Sequence, residues 1–430
     1  MKAGAGRFGV GHASALVRRT SRAVIGLVVF LVFASCDGFV QVRSPTELQG
    51  DEVDPVEDAE MFSRSALQSL AEAFGNLSLH SAWFTHEARV GDSFPTRNEF
   101  GLRGVGEANI NHLWDNWVAL HRAIAGAEAV VRALDGATSV HLARAYFTSG
   151  WAVLLMAESF CEGTIAESET VPGSRLSTSE MVAAALHRLE HAARIGRQQD
   201  GSAEGEAIVA AARAGKARAY LLEGEHALAA AMADSIPAGF VFELPHADDP
   251  DHRTRLGNRI WQFSDQRPAL VVPPHVRERF DAGDPRVPYD DTGRAAQDGE
   301  LRLFRQGKFT GWSSPSRLTS GLEARYIAVE ARGDRGEMLQ FVNERRAAGG
   351  TAALDPETSL DELMRELLSQ KALDHWLEGK RMGDLRRHGA ELPWLLEQGS
   401  EFYKPQLGRV GNQVCWPVPS AERWNNPNWP

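Results

Sequence analysis

His187, Glu190 and His191 form an H-x-x-E-H pattern, the sequence in this chain that most resembles a catalytic site. On a helix, this spacing places two imidazoles one turn apart, as in the inverted zinc proteases. Val182 and Leu189 lie on the buried stripe of the same predicted helix, so both histidines fall on its flank, and no third ligand is identifiable. We therefore expect a solvated helix face, and we predict no metal site, no cofactor and no catalytic residue.

Loop carboxylates offer a second chemistry, the paired general acid and base of a glycosidase. Asp290 with Asp291, and Glu87 with Asp92, lie in predicted loops. Acidic loop residues more commonly solvate the chain or cap a turn. Neither a G-x-S-x-G sequence nor a phosphate-binding glycine loop occurs between a predicted strand and helix. A glycosidase is thus the third of three functions that the sequence suggests.

Eleven tryptophans offer a third chemistry, because a sugar ring stacks its C–H face on an indole while its hydroxyls bind amide, carboxylate or guanidinium groups. Trp114, Trp117, Trp151 and Trp376 have core-like spacings in predicted helices, so we expect them to pack in the core. The candidate ligand-binding residues, led by Trp83 and Trp312, lie in predicted loops: Trp83, Asp92, Arg97, Trp261, Tyr289 and Trp312.

Repeated phrases identify the scaffold that must position these residues. ARAYFTSG (Ala143–Gly150) and ARAYLLEG (Ala217–Gly224) are nearly identical, and EARYIAVEARGD (Glu323–Asp334) is a looser copy. In each, small and aromatic residues share one helix face, where a second helix can approach closely. Helix, glycine turn, helix is typical of tetratricopeptide-like hairpins. We therefore predict a mainly α fold built from such hairpins.

The chain divides into a helical part and a part with many loops. Residues 237–321 are rich in Pro, Asp, Arg and Gly, which predicts short strands and loops, and residues 80–104 predict a long ordered loop. Helices resume at Leu322 and Leu360. The predicted segments are a signal peptide (1–35), a tether (36–60), a helical region (61–236) and a second region (237–430) that contains the insertion at 237–321.

The amino terminus predicts export. Residues 1–35 contain five basic residues and no acid, and an apolar run ends at Ala34-Ser35-Cys36. The run is too short to span a membrane, which takes ~20 residues. It resembles a bacterial lipoprotein signal, in which Cys36 is lipidated and becomes the mature amino terminus. An ordinary cleaved signal peptide is the alternative.

The net charge excludes one class of partner. Removing residues 1–35 takes the net charge from −11 to −16. An acidic chain repels phosphate backbones, and no stripe of lysine and arginine occurs, so we expect no nucleic-acid partner.

Two further cysteines, Cys161 and Cys415, are far apart in the chain. An exported compartment permits a disulfide between them, but at this separation we expect them to be unpaired.

The carboxyl-terminal third resembles the SusD/RagB family. The residues that match its E-G-x-R-x-x-D-L-R-R-x-G signature are Glu378, Gly379, Arg381, Asp384, Leu385, Arg386, Arg387 and Gly389. We expect the charged residues of this signature to be structural, forming salt bridges and capping carbonyls. Further similar segments occur in the family's order: FDAGDPRVPYDD (Phe280–Asp291), EARYIAVEA (Glu323–Ala331), FVNERRAAGG (Phe341–Gly350) and WPVPSAERWNNPNW (Trp416–Trp429).

This resemblance implies a tetratricopeptide-like scaffold with an irregular, loop-rich second lobe containing short strands. It also implies an outer-membrane lipoprotein at the cell surface that is not an enzyme. Such a protein captures an oligosaccharide or another nutrient and passes it to a SusC-like TonB-dependent outer-membrane transporter. The alternative function is a tetratricopeptide-like envelope scaffold that binds other proteins through its concave helical face.

Overall fold

The first half of the chain is helical. A computed structural model describes residues 56–168, 171–199 and 201–429. The predicted signal peptide, Cys36 and most of the predicted tether lie outside the described residues. In chain order, the elements of the first half are α1 (Ala59–Phe84), β1 (Arg89–Val90), α2 (Pro95–Gly101), a π-helical turn (His112–Val118) continuing into α3 (Ala119–Ala133), α4 (Val140–Ser159), β2 (Glu162–Thr164), β3 (Arg175–Ser177), α5 (Thr178–Arg197), α6 (Ala203–Leu222) and α7 (His226–Asp234).

The second half alternates short strands with helices, as predicted for residues 237–321. Each of its longer helices begins at a capping side chain, Ser320, Asp334 or Ser359, which accepts a backbone N–H of the first turn. Its elements are β4 (Val241–Leu244), α8 (Arg253–Leu256), α9 (Arg259–Trp261) with a π-helical turn (Gln262–Gln266), β5 (Leu270–Val271), α10 (Pro274–Asp281), β6 (Tyr289–Ala295), β7 (Arg302–Gln306), β8 (Ser316–Ser320), α11 (Gly321–Arg332), α12 (Arg335–Ala348), α13 (Leu360–Asp374), α14 (Arg381–His388) and α15 (Ser420–Asn425).

Consecutive helices pack against each other from α3 through α7, and α12 packs on α13. Leu189 of α5 lies between two glycines of its neighbours: a Cβ added at Gly150 or at Gly215 would lie 2.9 Å or 2.8 Å from its side chain. Gly224, the last residue of the second repeated segment, has the left-handed backbone conformation of a turn, with φ 78°. The close helix approach predicted from Ala143–Gly150 and the turn predicted from Ala217–Gly224 are both present. The mainly α hairpin fold is therefore confirmed.

The described strands form two-stranded antiparallel sheets, and the β1–β5 and β4–β8 pairs connect segments that are distant in the chain. β1 pairs with β5, β2 with β3, β4 with β8, and β6 with β7. The pair that joins Arg89 to Val271 brings the segment after α1 beside the segment after α9. The described residues belong to one compact unit, so the predicted division near residue 237 stays a prediction. None of the described helices is both long and apolar enough to cross a membrane.

The prediction of a long loop at residues 80–104 is wrong. α1 continues through Phe84, and α2 occupies residues 95–101. From Ala73 to Phe84 every residue of α1 is buried. A helix that is buried on all sides has no polar stripe, so its sequence shows no helical period.

The expectation that the two cysteines are unpaired is also wrong. Cys161 and Cys415 form a disulfide, with 5.2 Å between their Cα atoms. Residue 161 follows α4, and its backbone N–H donates to the carbonyl of Trp416 at 3.0 Å. The fold therefore brings the carboxyl-terminal segment alongside the end of α4, which sequence separation does not reveal.

Loss of this disulfide should destabilise the protein. We expect the Cys161→Ser variant to lose about 2–4 kcal/mol of unfolding free energy without reductant, because the bridge restricts the unfolded chain. Urea unfolding measures this loss. The Cys161→Ser/Cys415→Ser double variant should match the single variant, and wild-type protein in reductant should match both. An unchanged midpoint in the single variant would contradict the prediction.

Burial lowers the pKa of several histidines. His80 stacks on Phe100 with ring centroids 4.2 Å apart, and its Nδ1 lies 2.8 Å from Asn116 Oδ1. His112 packs against Phe160 at 5.0 Å. Loss of solvent disfavours the charged imidazolium. The lowered pKa is about 4 for His80, His112, His121, His246 and His275, and about 3 for His86.

We predict that the free energy of unfolding falls between pH 6.5 and pH 4. The unfolded chain protonates these histidines near pH 6.5 and the folded chain only near pH 4, so stabilisation present above pH 6.5 is lost as the pH falls. A pKa lowered from 6.5 to about 4 corresponds to ~3 kcal/mol for His112. Urea unfolding at a series of pH values should show that the free energy of unfolding depends less steeply on pH in His112→Gln than in wild type. Exposed His187→Gln is the control, and identical slopes in all three proteins would rule the explanation out.

Candidate functional site

Two of the predicted aromatic residues, Trp261 and Trp312, meet edge to face, with ring centroids 5.0 Å apart. Trp261 ends α9, a short helix capped by the side chain of Asn258, and is half-buried. Trp312 is only 7% exposed, and it packs so closely on Gly257 that a Cβ there would lie 2.5 Å from its ring. Trp261 is therefore the more accessible indole of this pair, and a ligand contact by Trp312 stays a prediction.

A pocket of about 260 Å³ opens beside Trp261. Two segments form it, the π-helical turn that follows α9 and the β6–β7 hairpin with the turn after it. We call it the Trp261 pocket. Its lining residues are Trp261, Asp265, Asp290, Arg305, Gln306, Gly307, Phe309 and Thr310.

Arg305 organises the charges of the Trp261 pocket. Its Nη1 donates to Asp265 at 2.5 Å and its Nη2 donates to Asp290 at 3.1 Å. Asp290 and Arg305 are direct partners across the β6–β7 hairpin, so the strand register places this pair. The guanidinium and carboxylates hold fixed hydrogen-bond donors and acceptors at the edge of a half-buried indole, an arrangement that suits a sugar ring and its hydroxyls.

Gln306 makes the wall of the Trp261 pocket rigid. Its buried amide donates to Ser264 Oγ and to the carbonyl of Phe309, both at 2.9 Å, and accepts the Phe309 N–H at 2.8 Å. These bonds tie the π-helical turn, β7 and the following turn together. The pocket is thus pre-formed by backbone and amide contacts.

Tyr289 neighbours the Trp261 pocket but does not line it. Its ring packs edge to face on Phe280 and Phe304, and its hydroxyl donates to Asp281 at 2.8 Å. That hydrogen bond raises the pKa of Tyr289. A direct ligand contact by Tyr289 stays a prediction.

The other three predicted ligand residues lie inside the protein, so the prediction for them is wrong. Trp83 is fully buried, with its ring 5.9 Å from that of Phe263. Asp92 and Arg97 form a buried ion pair, and Asp92 also accepts the Phe94 N–H at 3.0 Å. The prediction failed because these residues were assigned to a surface loop, whereas α1 and α2 bury them.

Asp265, Arg305 and Gln306 line the Trp261 pocket but were not predicted from the sequence. Trp261 and Asp265 lie four residues apart, a spacing that places side chains together on a helix, but the sequence did not indicate a helix there. Arg305 is brought to them by the register of the β6–β7 hairpin, which has no local signal in the sequence.

The predictions for the core tryptophans are mostly confirmed. Trp117, Trp151 and Trp376 are buried as expected, whereas Trp114 is 57% exposed and does not pack in the core.

The H-x-x-E-H residues occupy the solvated helix face that we expected. His187 and Glu190 are exposed on α5. His191 stacks on Tyr146 at 4.9 Å, while Glu190 pairs with Lys216 at 2.5 Å. Among the described residues, no group of three or more histidine, cysteine or acidic side chains could hold a metal ion.

Glu87 and Asp92 do not face each other in an accessible cleft. Glu87 is fully buried, and its Oε1 accepts the Leu377 N–H at 3.3 Å. Burial raises the pKa of Glu87 to about 7. A carboxyl this deep in the core has no route to a polysaccharide.

Comparison with known proteins identifies the fold. No protein-family model and no curated protein matches the chain. Among solved structures, it is similar to a SusD-like carbohydrate-binding protein from Bacteroides vulgatus, with 16% identity and a TM-score of 0.67 over 87% of this chain and 97% of that one. It is also similar to surface glycan-binding protein A from Bacteroides uniformis, with 13% identity and a TM-score of 0.65 over 87% and 98% of the two chains.

A third similar structure holds a ligand. It is surface glycan-binding protein A from Bacteroides thetaiotaomicron in complex with laminarihexaose, with 15% identity and a TM-score of 0.61 over 86% of this chain and 98% of that one. The chain therefore has the fold of SusD-like proteins, and the resemblance read from its motifs is confirmed at the level of the fold.

Proposed function

We propose that this chain is a SusD/RagB-type nutrient-binding lipoprotein that captures an oligosaccharide in the Trp261 pocket. The observation that carries the proposal is the half-buried indole of Trp261 beside the Asp265–Arg305–Asp290 triad, in a pocket on a SusD-like scaffold. The similar structures support it, since two of them are named as surface glycan-binding proteins. Many unrelated functions share one fold, and it is the residues of the Trp261 pocket that point to a sugar ligand.

Capture follows from the geometry of the Trp261 pocket. The indole takes the C–H face of a sugar ring, and Arg305 with its two carboxylates binds hydroxyls around the ring's edge. Because Gln306 already fixes the pocket wall, binding costs little conformational entropy for ordering the pocket. The ligand is held by stacking and hydrogen bonds and can be released unchanged.

Turnover is not part of the proposal. A glycosidase needs the scissile bond between its two carboxyl groups. In the Trp261 pocket the guanidinium of Arg305 lies between Asp265 and Asp290 and pairs with both. The pocket therefore lacks the space between carboxylates that hydrolysis would use.

The proposal extends to location and partner. Lipidation of Cys36 would hold the protein on the outer membrane, at the cell surface, and a SusC-like TonB-dependent transporter would receive the captured ligand. The lipoprotein-like sequence that ends at Cys36 supports the first part, and the order of SusD/RagB-like segments supports the second.

The binding function can be tested with Trp261→Ala. Calorimetric titration with a panel of soluble oligosaccharides that includes laminarihexaose should identify a ligand, and the variant should bind it at least about 10-fold more weakly, a loss of ~1.4 kcal/mol. Trp424→Ala is the matched control, because Trp424 is 81% exposed and lies on α15, outside the pocket. Equal affinities in the two variants, or no binding by wild type, would refute the proposal.

The transport function can be tested by purification from native membranes. Full-length protein with a carboxyl-terminal tag should bring down a TonB-dependent barrel in stoichiometric amount after gentle solubilisation. A Cys36→Ser variant should leave the membrane fraction. Recovery of only periplasmic or assembly proteins would instead support the envelope scaffold.

A further inference from the structure

The guanidinium of Arg267 has an unusual lack of partners. Among the described residues its one ion-pair partner is Asp92, 3.7 Å from Nε. Asp92 is already engaged, since one of its oxygens accepts the Phe94 N–H and the other accepts Arg97. The Arg267 side chain is 37% exposed, so its N–H groups are directed to no acceptor of the described chain.

Two phenyl rings hold this guanidinium in place. Its Cζ lies 5.4 Å from the centroid of Phe94 and 5.7 Å from that of Phe263. Phe263 is buried, whereas Phe94 is 52% exposed. The two rings thus fix the cation by stacking, and the exposed phenyl ring provides an apolar surface beside it.

The neighbourhood of Arg267 has more positive than negative charge. Arg97 also lies over both rings, at 5.0 Å from Phe94 and 5.1 Å from Phe263. The two guanidiniums share the single carboxylate of Asp92. Burial and the nearby Arg97 lower the pKa of Arg267, but a guanidinium keeps its proton in proteins. An anion placed here would relieve the repulsion between the two arginines.

The Arg97 and Arg267 guanidiniums lie next to the Trp261 pocket. The π-helical turn Gln262–Gln266 separates them: Asp265 pairs with Arg305 in the pocket, and Phe263 packs beneath Arg267. One oligosaccharide lying across this turn would meet the indole on one side and the free guanidinium on the other.

We propose that Phe94 and Arg267 bind a uronic acid unit of the oligosaccharide held by the Trp261 pocket, so that the captured glycan is acidic. This inference rests on the proposed function of that pocket. The planar fork of Arg267 matches a carboxylate with two parallel hydrogen bonds, and the phenyl ring of Phe94 takes the face of the same sugar. A neutral sugar would leave the guanidinium with only the carboxylate that it shares with Arg97.

The test compares uronate oligosaccharides with their own methyl esters, which remove the charge and keep the sugar. Oligogalacturonides and oligomannuronides, each as acid and as ester, are titrated into the full chain together with laminarihexaose. We expect the best acid to bind about 10-fold more tightly than its ester. Raising the salt concentration should narrow this difference.

Variants assign the preference to Arg267. Arg267→Gln should reduce the acid-to-ester ratio to about one without weakening the ester, and Arg267→Lys should retain part of it. Arg302→Gln is the matched control. Arg302 is an exposed arginine of β7 that pairs with Asp291 and does not line the Trp261 pocket. Urea unfolding of each variant verifies that the fold is intact.

The outcomes separate this inference from the proposed function. If a neutral oligosaccharide is the best ligand and Trp261→Ala abolishes its binding, the acidic preference is refuted while capture by the Trp261 pocket stands. An acid-to-ester ratio that Arg267→Gln leaves unchanged also refutes it. If no oligosaccharide binds, both proposals fail.

Discussion

Buried ion pairs join the helical hairpins to the irregular second half of the chain, and the remaining structure depends on them. Glu323 of α11 forms ion pairs with Lys380 at 3.0 Å and with Arg218 of α6 at 3.3 Å, and Arg218 also donates to Glu158 of α4 at 2.9 Å. Burial alone would raise the pKa of Glu323, but Lys380 and Arg218 hold it at about 2. Removing one member of such a set leaves an uncompensated charge, which typically costs 3–5 kcal/mol. These charges therefore fix the relative positions of three helices.

The same kind of pairing positions the proposed ligand site. Arg286, just before β6, donates to Asp374 at 3.1 Å and to Gln370 at 2.9 Å at the end of α13. Lys308, just after β7, donates to Glu378 at 2.6 Å and to the carbonyl of Trp376 at 2.7 Å. Both ends of the hairpin that carries Asp290 and Arg305 are thus attached to the end of α13 and the residues after it. The motifs that suggested a family have a structural role, which is to hold the Trp261 pocket at a defined place on the scaffold.

The sequence predicted the fold better than the site, for physical reasons. Hairpin packing leaves a local signal in the sequence, for example the glycine at position 150 of α4, where α5 packs closely. The structural role expected for the signature charges is also borne out, since Asp384 accepts both Lys371 and Arg387 and Arg386 donates to the carbonyl of Phe160. The site leaves no such signal. It depends on the β6–β7 register and on which indole is covered by a neighbour, and both are tertiary properties.

The most direct measurement of ligand capture is a crystal structure of the lipid-free Cys36→Ser chain with its best-binding oligosaccharide. We predict a sugar ring stacked on the indole of Trp261, with hydroxyls within hydrogen-bonding distance of Arg305. Density for the sugar on Trp114 or Trp424, the two strongly exposed tryptophans, with nothing in the Trp261 pocket, would contradict it.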